Sequence, residues 1–267
     1  MKIAHALGLL LASFALVTGA KAFPCPNKPV RLAFYQYGLL YFENASHAGQ
    51  GIDKDVADEL ARRSGCKFQF SVQARARIWK DLESGWLDMT VSGIETPDRT
   101  QFAWFTPYLA MKNYLVLRAD QAEKIHSANE LLNSNLRFGV VRSFHHGSAQ
   151  DAWVEKLRQE NRVSESVDAK TTFLKLKTGL IDAMFSQPLV YRKYLDDLDM
   201  TGMAVALDLT PDEPELPHNL VLAKKSFSEA EASQWRGLVL EMRYDGTLRQ
   251  IFRRYVSERE TERLLSF

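Results

Sequence analysis

The segment spanning residues 85–108 brings together groups that could bind an anion. Residues 87–91 are short, apolar and partly β-branched, a pattern typical of a buried strand. Residues 92–98 then supply hydroxyls and main-chain N–H groups, and Thr96-Pro97 is typical of a helix start. Arg99 would lie in the first turn of that helix, where a guanidinium and free N–H groups favour a carboxylate or phosphate. The alternative is a surface ion pair between Arg99 and a neighbouring acid.

The elements before this segment are predicted to place it in a parallel sheet. Apolar alternation over residues 30–35 indicates a first strand, and Asp53 is placed to cap a helix that Gly65 ends. A strand over residues 67–72 and a helix over residues 77–84 follow. This β-α-β-α-β order predicts parallel strands with right-handed crossovers, which places the candidate anion site at the end of a strand.

The second half of the chain repeats the pattern of strand, polar turn and helix. Residues 110–117 indicate a strand, and residues 136–142 indicate another that is followed by a polar turn over residues 143–148. Residues 181–186 indicate a further buried strand. Residues 210–217 contain three prolines in eight positions, which predicts an extended linker. A chain of 267 residues is long enough for two lobes or domains.

Four motifs occur in order along the chain. They are Gly51-Ile-Asp-Lys-Asp-Val56, Trp79-x-x-Leu-x-x-Gly-x-x-Asp88, a Ser/Thr-containing loop ending in Thr96-x-x-Arg99, and Met242-x-x-Asp-Gly-Thr-x-x-x-Ile251. In this order they resemble the type II periplasmic solute-binding proteins, and more narrowly the bacterial extracellular solute-binding proteins of family 3. The resemblance spans residues 29–257.

The resemblance implies an α/β fold of two lobes, each a mainly parallel sheet flanked by helices, joined by two hinge strands. We expect lobe 1 to comprise residues 23–110 and 217–267, and lobe 2 to comprise residues 111–216. The implied function is to capture a small anionic or zwitterionic ligand between the lobes by hinge closure, for delivery to an inner-membrane ABC permease. We expect a monomer that needs no cofactor and no metal.

The resemblance also indicates ligand-binding residues. Arg99 corresponds to the arginine that grips the ligand carboxylate, and Ser92 corresponds to a loop residue that assists it. Tyrosines of the first loop would form a wall of the site, although packing within the loop is the alternative for each of them. The full set of candidates is Tyr35, Tyr37, Tyr41, Arg75, Ser92, Gly93, Ile94, Thr96, Arg99, Arg142, Ser143, Phe144, His145 and Gln187.

The chain departs from the family pattern at two places that bear on the ligand. Residues 142–145 are largely bulky or cationic where relatives have ligand-binding hydroxyls, and Gln187 stands near the place of an acid that binds an ammonium group. If Arg75, Arg99 and Arg142 all face the cleft, the site is strongly cationic. We therefore expect an organic acid or another anionic metabolite rather than a zwitterionic amino acid.

The first 22 residues have the features of a secretory signal peptide. A lysine precedes an apolar run over residues 6–18, and Ala20-Lys-Ala22 offers small residues at the two positions that signal peptidase recognises. The apolar run is short for a membrane span. We therefore expect cleavage near Ala22 and a periplasmic product that begins near Phe23.

Export would place the two cysteines under oxidising conditions. Cys25 lies just before the first predicted strand and Cys66 just before the second. Neighbouring parallel strands begin at the same edge of a sheet, so the two thiols would meet there. A Cys25–Cys66 disulfide is therefore favoured over two buried thiols or a metal site.

Composition and motifs argue against several other functions. The balance of 34 basic and 33 acidic residues, spread without runs, argues against nucleic-acid binding. The sequence has no Gly-x-Ser-x-Gly, phosphate-binding loop or His-Glu-x-x-His motif, and His145-His146 is more typical of a surface pair than of metal ligands. The rival hypotheses are a periplasmic lyase or dehydratase with Glu95, His145 or Arg142 as acid–base groups, and a soluble sensor for a membrane receptor.

Overall fold

The computed structural model describes residues 23–267, and the segment expected to be a signal peptide lies outside them. Two five-stranded sheets form the framework, together with a two-stranded ribbon. In the described part of the chain, no helix has the length and apolar character that a membrane span requires. The strands are β1 (Val30–Phe34), β2 (Phe42–Glu43), β3 (Gly49–Gln50), β4 (Phe68–Val72), β5 (Met89–Gly93), β6 (Ala103–Met111), β7 (Tyr114–Arg118), β8 (Phe138–Val141), β9 (Val163–Ser166), β10 (Ala183–Ser186), β11 (Ala204–Leu207) and β12 (Leu216–Ala223). The helices are α1 (Ile52–Ser64), α2 (Arg75–Ser84), α3 (Pro97–Thr100), α4 (Ala128–Asn133), α5 (Ser148–Gln159), α6 (Ala169–Lys177), α7 (Pro188–Asp197), α8 (Glu229–Tyr244), α9 (Thr247–Phe252) and α10 (Glu258–Leu264), with a short 3-10 helix at Ala119–Lys124.

The first sheet has the strand order β4-β1-β5-β12-β6. β1 pairs in parallel with β4 and with β5, whereas β12 runs antiparallel between β5 and β6. Four of the five strands therefore point the same way. Every residue of β5 is buried, as expected for a strand whose two faces are both covered.

The second sheet has the strand order β11-β7-β10-β8-β9. β8 pairs in parallel with β9 and with β10, whereas β7 runs antiparallel between β10 and β11. Again four of the five strands share one direction. The expected α/β architecture of two mainly parallel sheets is therefore confirmed.

The chain passes between the two sheets at adjacent positions. It leaves the first sheet at Met111, where β6 ends, and returns to it at Leu216, where β12 begins. These two residues pair with each other across the β6–β12 ladder. Two neighbouring connections of this kind suit a hinge, because few backbone dihedrals need to change when the sheets rotate against each other.

The expected single strand over residues 110–117 is wrong. Lys112 and Asn113 interrupt it, because β6 belongs to the first sheet and β7 to the second. The exact lobe boundaries, which we expect between residues 110 and 111 and between residues 216 and 217, stay predictions. Pro107 is accommodated within β6 because this strand lies at the edge of its sheet, where one missing N–H donor is tolerated.

Two helix starts differ from expectation. α2 begins at Arg75 instead of residue 77, and its N-cap, Ala74, provides no side-chain hydrogen bond. α1 has Gly51 as its N-cap, so Asp53 does not cap the helix as expected. Glycine is required at this cap because its φ is +120° and a Cβ would collide with the carbonyl oxygen of Leu40. Asp53 instead turns its carboxyl group into the protein interior.

Cys25 and Cys66 form the expected disulfide, with their Cα atoms 5.3 Å apart. β1 and β4 are parallel neighbours, so the segments that precede them begin at the same edge of the first sheet. The bond ties the start of the described chain to the turn after α1. This prediction is confirmed.

Candidate functional site

A cavity of about 310 Å³ lies between the two sheets. One wall follows the carboxyl ends of β1 and β4, and the opposite wall follows the carboxyl ends of β8 and β9. This is the edge at which open α/β sheets bind their ligands, and the volume suits a small metabolite. Among the candidates from the sequence, the lining includes Tyr35, Tyr37, Arg75 and Phe144.

Arg99 is buried close to this cavity. Its guanidinium stacks on Trp79, 3.6 Å from the ring centre. Nη1 donates to the carbonyl of Ile94 at 2.7 Å, and Nη2 donates to the carbonyl of Ser143 at 2.8 Å. Burial, together with the positive charge of Arg75, lowers the pKa of Arg99 to about 9. The alternative of an exposed ion pair is therefore wrong for this side chain.

Arg75 lines the cavity and is 2% exposed. Its guanidinium lies between the rings of Tyr35 and Phe144, 4.5 Å and 4.6 Å from the ring centres. Nε donates to the carbonyl of Ser143 at 3.4 Å, so Arg75 and Arg99 converge on one oxygen of the facing sheet's loop. Nη1 and Nη2 have no hydrogen-bond partner among residues 23–267. Both nitrogens are buried, so an anion would reach them only when the cleft opens.

Ser92 uses its hydroxyl inside the protein. Its Oγ donates to Oδ1 of Asp53 at 2.9 Å, and the hydroxyl of Tyr108 donates to the same oxygen at 2.5 Å. The N–H of Ser92 donates to Tyr108 at 2.9 Å, and the hydroxyl of Tyr35 donates to the Ser92 carbonyl at 3.1 Å. These bonds hold Ser92 at a φ of +50°, a conformation that non-glycine residues rarely adopt. Ser92 and Asp53 therefore set the shape of the loop between β5 and α3.

Asp53 is expected to make the protein less stable as the pH rises. Burial raises the pKa of this carboxyl group to about 6, and the hydrogen bonds from Tyr108 and Ser92 offset only part of that effect. A folded-state pKa above the unfolded value means that stability falls between about pH 4 and pH 6, by roughly 3 kcal/mol in total. Asp53→Asn keeps the oxygen that accepts both hydrogen bonds and should remove this loss.

Chemical unfolding of the native protein and of Asp53→Asn at about pH 4 and about pH 8 would measure the effect. From about pH 4 to about pH 8, the free energy of unfolding of the native protein should fall by roughly 3 kcal/mol more than that of Asp53→Asn. An identical pH dependence in both proteins would show that Asp53 does not titrate in this range.

Gln187 links the two sheets instead of lining the cavity. Its Oε1 accepts from the hydroxyl of Tyr37 at 3.0 Å, and its Nε2 lies 2.8 Å from Nε2 of His218. Burial and the charge of Arg75 lower the pKa of His218 to about 3, so its ring is neutral and accepts from the amide. Both ends of the Gln187 amide are therefore occupied by groups of the protein.

The loop after β1 packs directly against the N-terminus of α7, on the opposite side of the cleft. The N–H of Leu39 donates to the carbonyl of Leu189 at 2.8 Å. Gly38 has a φ of +57°, and a Cβ there would collide with the Leu189 carbonyl oxygen and lie 2.5 Å from Cα of Val190. Only glycine permits this close approach.

Gly38→Ala should therefore separate the two sides of the cleft. Gly202→Ala is the matched control, since Gly202 also has a positive φ of +79° but no atom within 4 Å of the added Cβ. We expect the free energy of unfolding to fall by roughly 2 kcal/mol more for Gly38→Ala than for the control. Urea unfolding measures this difference, and X-ray scattering should show a larger radius of gyration. Equal losses in both variants would contradict the contact.

Three candidates lie away from the cavity. Tyr41 stacks on an aromatic ring of β1, with ring centres 4.6 Å apart. Arg142 is exposed and pairs with Glu165 at 3.4 Å, so it does not face the cleft and the condition of three inward arginines is not met. His145 directs Nδ1 to Asp151 at 2.9 Å. The cleft therefore holds two arginines, Arg75 and Arg99. The turn that begins at residue 143 contributes the ring of Phe144 and the Ser143 carbonyl.

The remaining loop candidates shape the segment that carries Arg99. The carbonyl of Gly93 accepts from Asn219 at 2.9 Å, and that of Ile94 accepts from Arg99. Thr96 caps α3 by accepting the N–H of Arg99 at 3.4 Å, which confirms the expected helix start. The hydrogen bonds described for Gly93, Ile94 and Thr96 are therefore all made to other groups of the protein.

Sequence reasoning missed several residues at the site. Val72 and Gln73 line the cavity at the end of β4, and Asp168 lines it just after β9. Applying the strand-end rule to the predicted strand over residues 67–72 would have found Val72 and Gln73. Asp168 had no such signal, because β9 was not predicted. Trp79 and His218 carried no such signal, because an apolar helix face and a lone histidine are ordinary features of a core.

Comparisons with known proteins agree with this geometry. The "Probable histidine-binding protein" of Neisseria gonorrhoeae is 23% identical over 223 residues, which cover 81% of this chain and 79% of that protein. The "ABC transporter arginine-binding protein 1" of Escherichia coli (strain K12) is 22% identical over 247 residues, covering 92% of this chain and 95% of that protein. The structure of an ancestral arginine-binding protein bound to arginine matches 86% of this chain and 98% of that one, with a TM-score of 0.72 and 20% identity, and so shares the fold.

A family model covers most of the described chain. The model of the bacterial extracellular solute-binding proteins, family 3, matches residues 35–258. That range includes every strand of both sheets except β1, and it includes the whole of the cavity lining. The chain therefore belongs to the bacterial extracellular solute-binding proteins of family 3.

Proposed function

We propose that this protein is an exported solute-binding protein that captures a small carboxylate-bearing ligand between two lobes by hinge closure. The single observation that carries the proposal is the cavity between the carboxyl ends of two sheets, lined by Arg75 with both terminal nitrogens unpartnered among residues 23–267. An amino acid or an organic acid offers the carboxylate that such a cation binds most strongly.

Hinge closure follows from how the two sheets meet. The connections at Met111 and Leu216 lie side by side. The cleft is closed by contacts of Ser143, Gln187 and Leu189 with residues of the first sheet and its loops. Opening the cleft would break these few polar contacts while both sheets stay intact. The ligand would therefore enter an open cleft and stabilise the closed arrangement by adding contacts to both walls.

Delivery to an inner-membrane ABC permease is the transport role that we propose for the closed, ligand-bound form. The histidine- and arginine-binding relatives, by their names, bind amino acids, and one of them belongs to an ABC transporter. Both names are consistent with a carboxylate-bearing ligand here. We propose that the protein works as a monomer, since one chain supplies both walls of the cavity.

Mass spectrometry of the ligand released from protein purified from its own periplasm tests the proposal. A thermal-shift screen of amino acids and organic acids would then be run with the released compound included. An intact carboxylate that raises the melting temperature supports a binding protein. Steady consumption of that compound, or release of only a processed product, would replace the proposal with a lyase or dehydratase acting in the same cleft.

A further inference from the structure

We propose that Gln187 holds the cleft shut through the protein's own groups and thereby limits how fast a ligand enters. Together with its two partners, Tyr37 and His218, it forms what we call the latch. This inference rests on the proposed function, because it concerns the regulation of the same cleft. It makes Gln187 a positioning residue that controls access to the cavity.

Gln187 joins the two sides of the cleft with both ends of its amide. It lies between β10 of the second sheet and α7, whereas Tyr37 follows β1 and His218 lies in β12 of the first sheet. The amide oxygen accepts from the Tyr37 hydroxyl at 3.0 Å, and the amide nitrogen lies 2.8 Å from Nε2 of His218. One side chain therefore binds two separate elements of the facing lobe.

The three members of the latch are buried where the two sides meet. Gln187 and His218 are 0% exposed, and Tyr37 is 5% exposed. Gln187 is the N-cap of α7, but its side chain makes no capping hydrogen bond to that helix. A buried hydroxyl or ring nitrogen without a partner is costly, so the cleft closes readily over Tyr37 and His218 only because the amide satisfies both of them.

The latched cleft covers the two arginines that a ligand carboxylate would bind. Arg99 is 6% exposed, and its Nη2 donates to the carbonyl of Ser143 in the facing loop. Arg75 is 2% exposed, and its Nε donates to the same carbonyl. The Ser143 carbonyl thus takes the place between the guanidiniums that a carboxylate oxygen would need. A carboxylate reaches these arginines only after the facing loop has moved away.

Backbone contacts beside the latch open and close with it. The carbonyl of Leu189, two residues after Gln187, accepts the N–H of Leu39, two residues after Tyr37. Gly38 allows this close approach of the two backbones. Because the amide and backbone contacts join the same two segments, losing the amide weakens the whole seam. The closed, latched form therefore competes with ligand entry, and only the open fraction of molecules binds.

The association rate constant tests the latch. Gln187→Leu keeps a side chain of similar size but leaves the Tyr37 hydroxyl and the His218 ring without their partner in the closed cleft, which favours the open form. Because the open fraction rises, the association rate constant should increase by about tenfold. Stopped-flow fluorescence would measure it with the tightest binder among glutamate, arginine, succinate and glutarate.

X-ray scattering tests the latch without a probe. After any bound compound has been removed by unfolding and refolding, Gln187→Leu should have a larger radius of gyration than the native protein. Tyr37→Phe keeps the ring in the cavity wall and removes only the hydroxyl, so it should raise the association rate constant by a smaller factor, about threefold. This variant decides the question if Gln187→Leu does not fold.

Thr90→Val is the matched control. It also replaces a buried polar side chain by an apolar one of similar size, and it removes the hydrogen bond from Oγ1 of Thr90 to the carbonyl of Ala33 at 2.8 Å. Thr90 and Ala33 both lie in the first sheet, so this change lowers stability without altering the seam between the two sheets. We expect its association rate constant and its radius of gyration to match those of the native protein.

An association rate constant that stays unchanged in Gln187→Leu and Tyr37→Phe would overturn the control of ligand entry, whatever the radius of gyration. Equal changes in Thr90→Val would overturn it too, because the effect would then come from general destabilisation. If neither these acids nor the compound released from the native protein binds, the proposed function fails. The radius of gyration of Gln187→Leu would still decide whether Gln187 holds the cleft shut.

Discussion

Arg99→Ala is expected to abolish ligand-induced thermal stabilisation and to weaken ligand binding by about 100-fold. The guanidinium is buried against Trp79 and points across the cleft to the Ser143 carbonyl, so it is placed to bind the carboxylate of the proposed ligand. Removing one partner of such a buried, charge-assisted contact costs about 3 kcal/mol, which corresponds to that factor. Calorimetry and thermal shift with the carboxylate released from the native protein would measure it.

Arg142→Ala is the matched control for this experiment. Both arginines follow a strand and both are candidates from the sequence, but Arg142 is exposed and pairs with Glu165. We expect its loss to leave ligand binding unchanged. If Arg99→Ala still folds and keeps the full thermal shift, Arg99 does not belong to the site.

Loss of the disulfide is expected to lower the free energy of unfolding by about 4 kcal/mol. Cys25 and Cys66 are 41 residues apart, and the bond limits the conformations that this length of chain explores when unfolded. For a protein of this size the melting temperature should fall by about 10 °C. Thermal unfolding with and without a reductant, at matched pH, would measure the change.

A Cys25→Ser/Cys66→Ser variant provides the control, since a reductant should leave its melting temperature unchanged. Thiol titration of the unfolded, oxidised native protein should find no free thiol, because the described chain holds both cysteines in one bond. One or two reactive thiols per chain would mean that the bond does not form in the purified protein. An equal response to reductant in both proteins would point to another cause.

The order of strands and helices could be predicted from the sequence because each element has its own local pattern. Apolar runs of the right period mark β1, β5 and β10, and Gly65 ends α1 with a φ of +69°. Thr96 and Pro97 indicate the start of α3, because threonine is a favourable N-cap and proline is a favourable first helical residue. The disulfide could also be predicted from this order, because neighbouring parallel strands begin at the same edge of a sheet.

Contacts between residues far apart in the sequence had no such local signal. Asp53 was expected to cap a helix and instead accepts hydrogen bonds from Ser92 and Tyr108, which are 39 and 55 residues away. Gln187 bonds to Tyr37, 150 residues away. The contacts of Asp53 depend on how α1 packs against the first sheet, and the contact of Gln187 depends on how the two sheets approach each other. Neither arrangement is encoded by residue spacing within one element.

The sequence by itself therefore determined the fold, the family, the disulfide and the importance of the segment that carries Arg99, because these depend on local patterns and on motifs kept in order. Only the tertiary structure decided that Arg75 enters the cavity while Arg142 points to solvent. Both arginines lie next to the end of a strand, and the direction of each depends on what the facing surface offers. Arg75 meets two aromatic rings and a carbonyl, whereas Arg142 meets Glu165 at the surface.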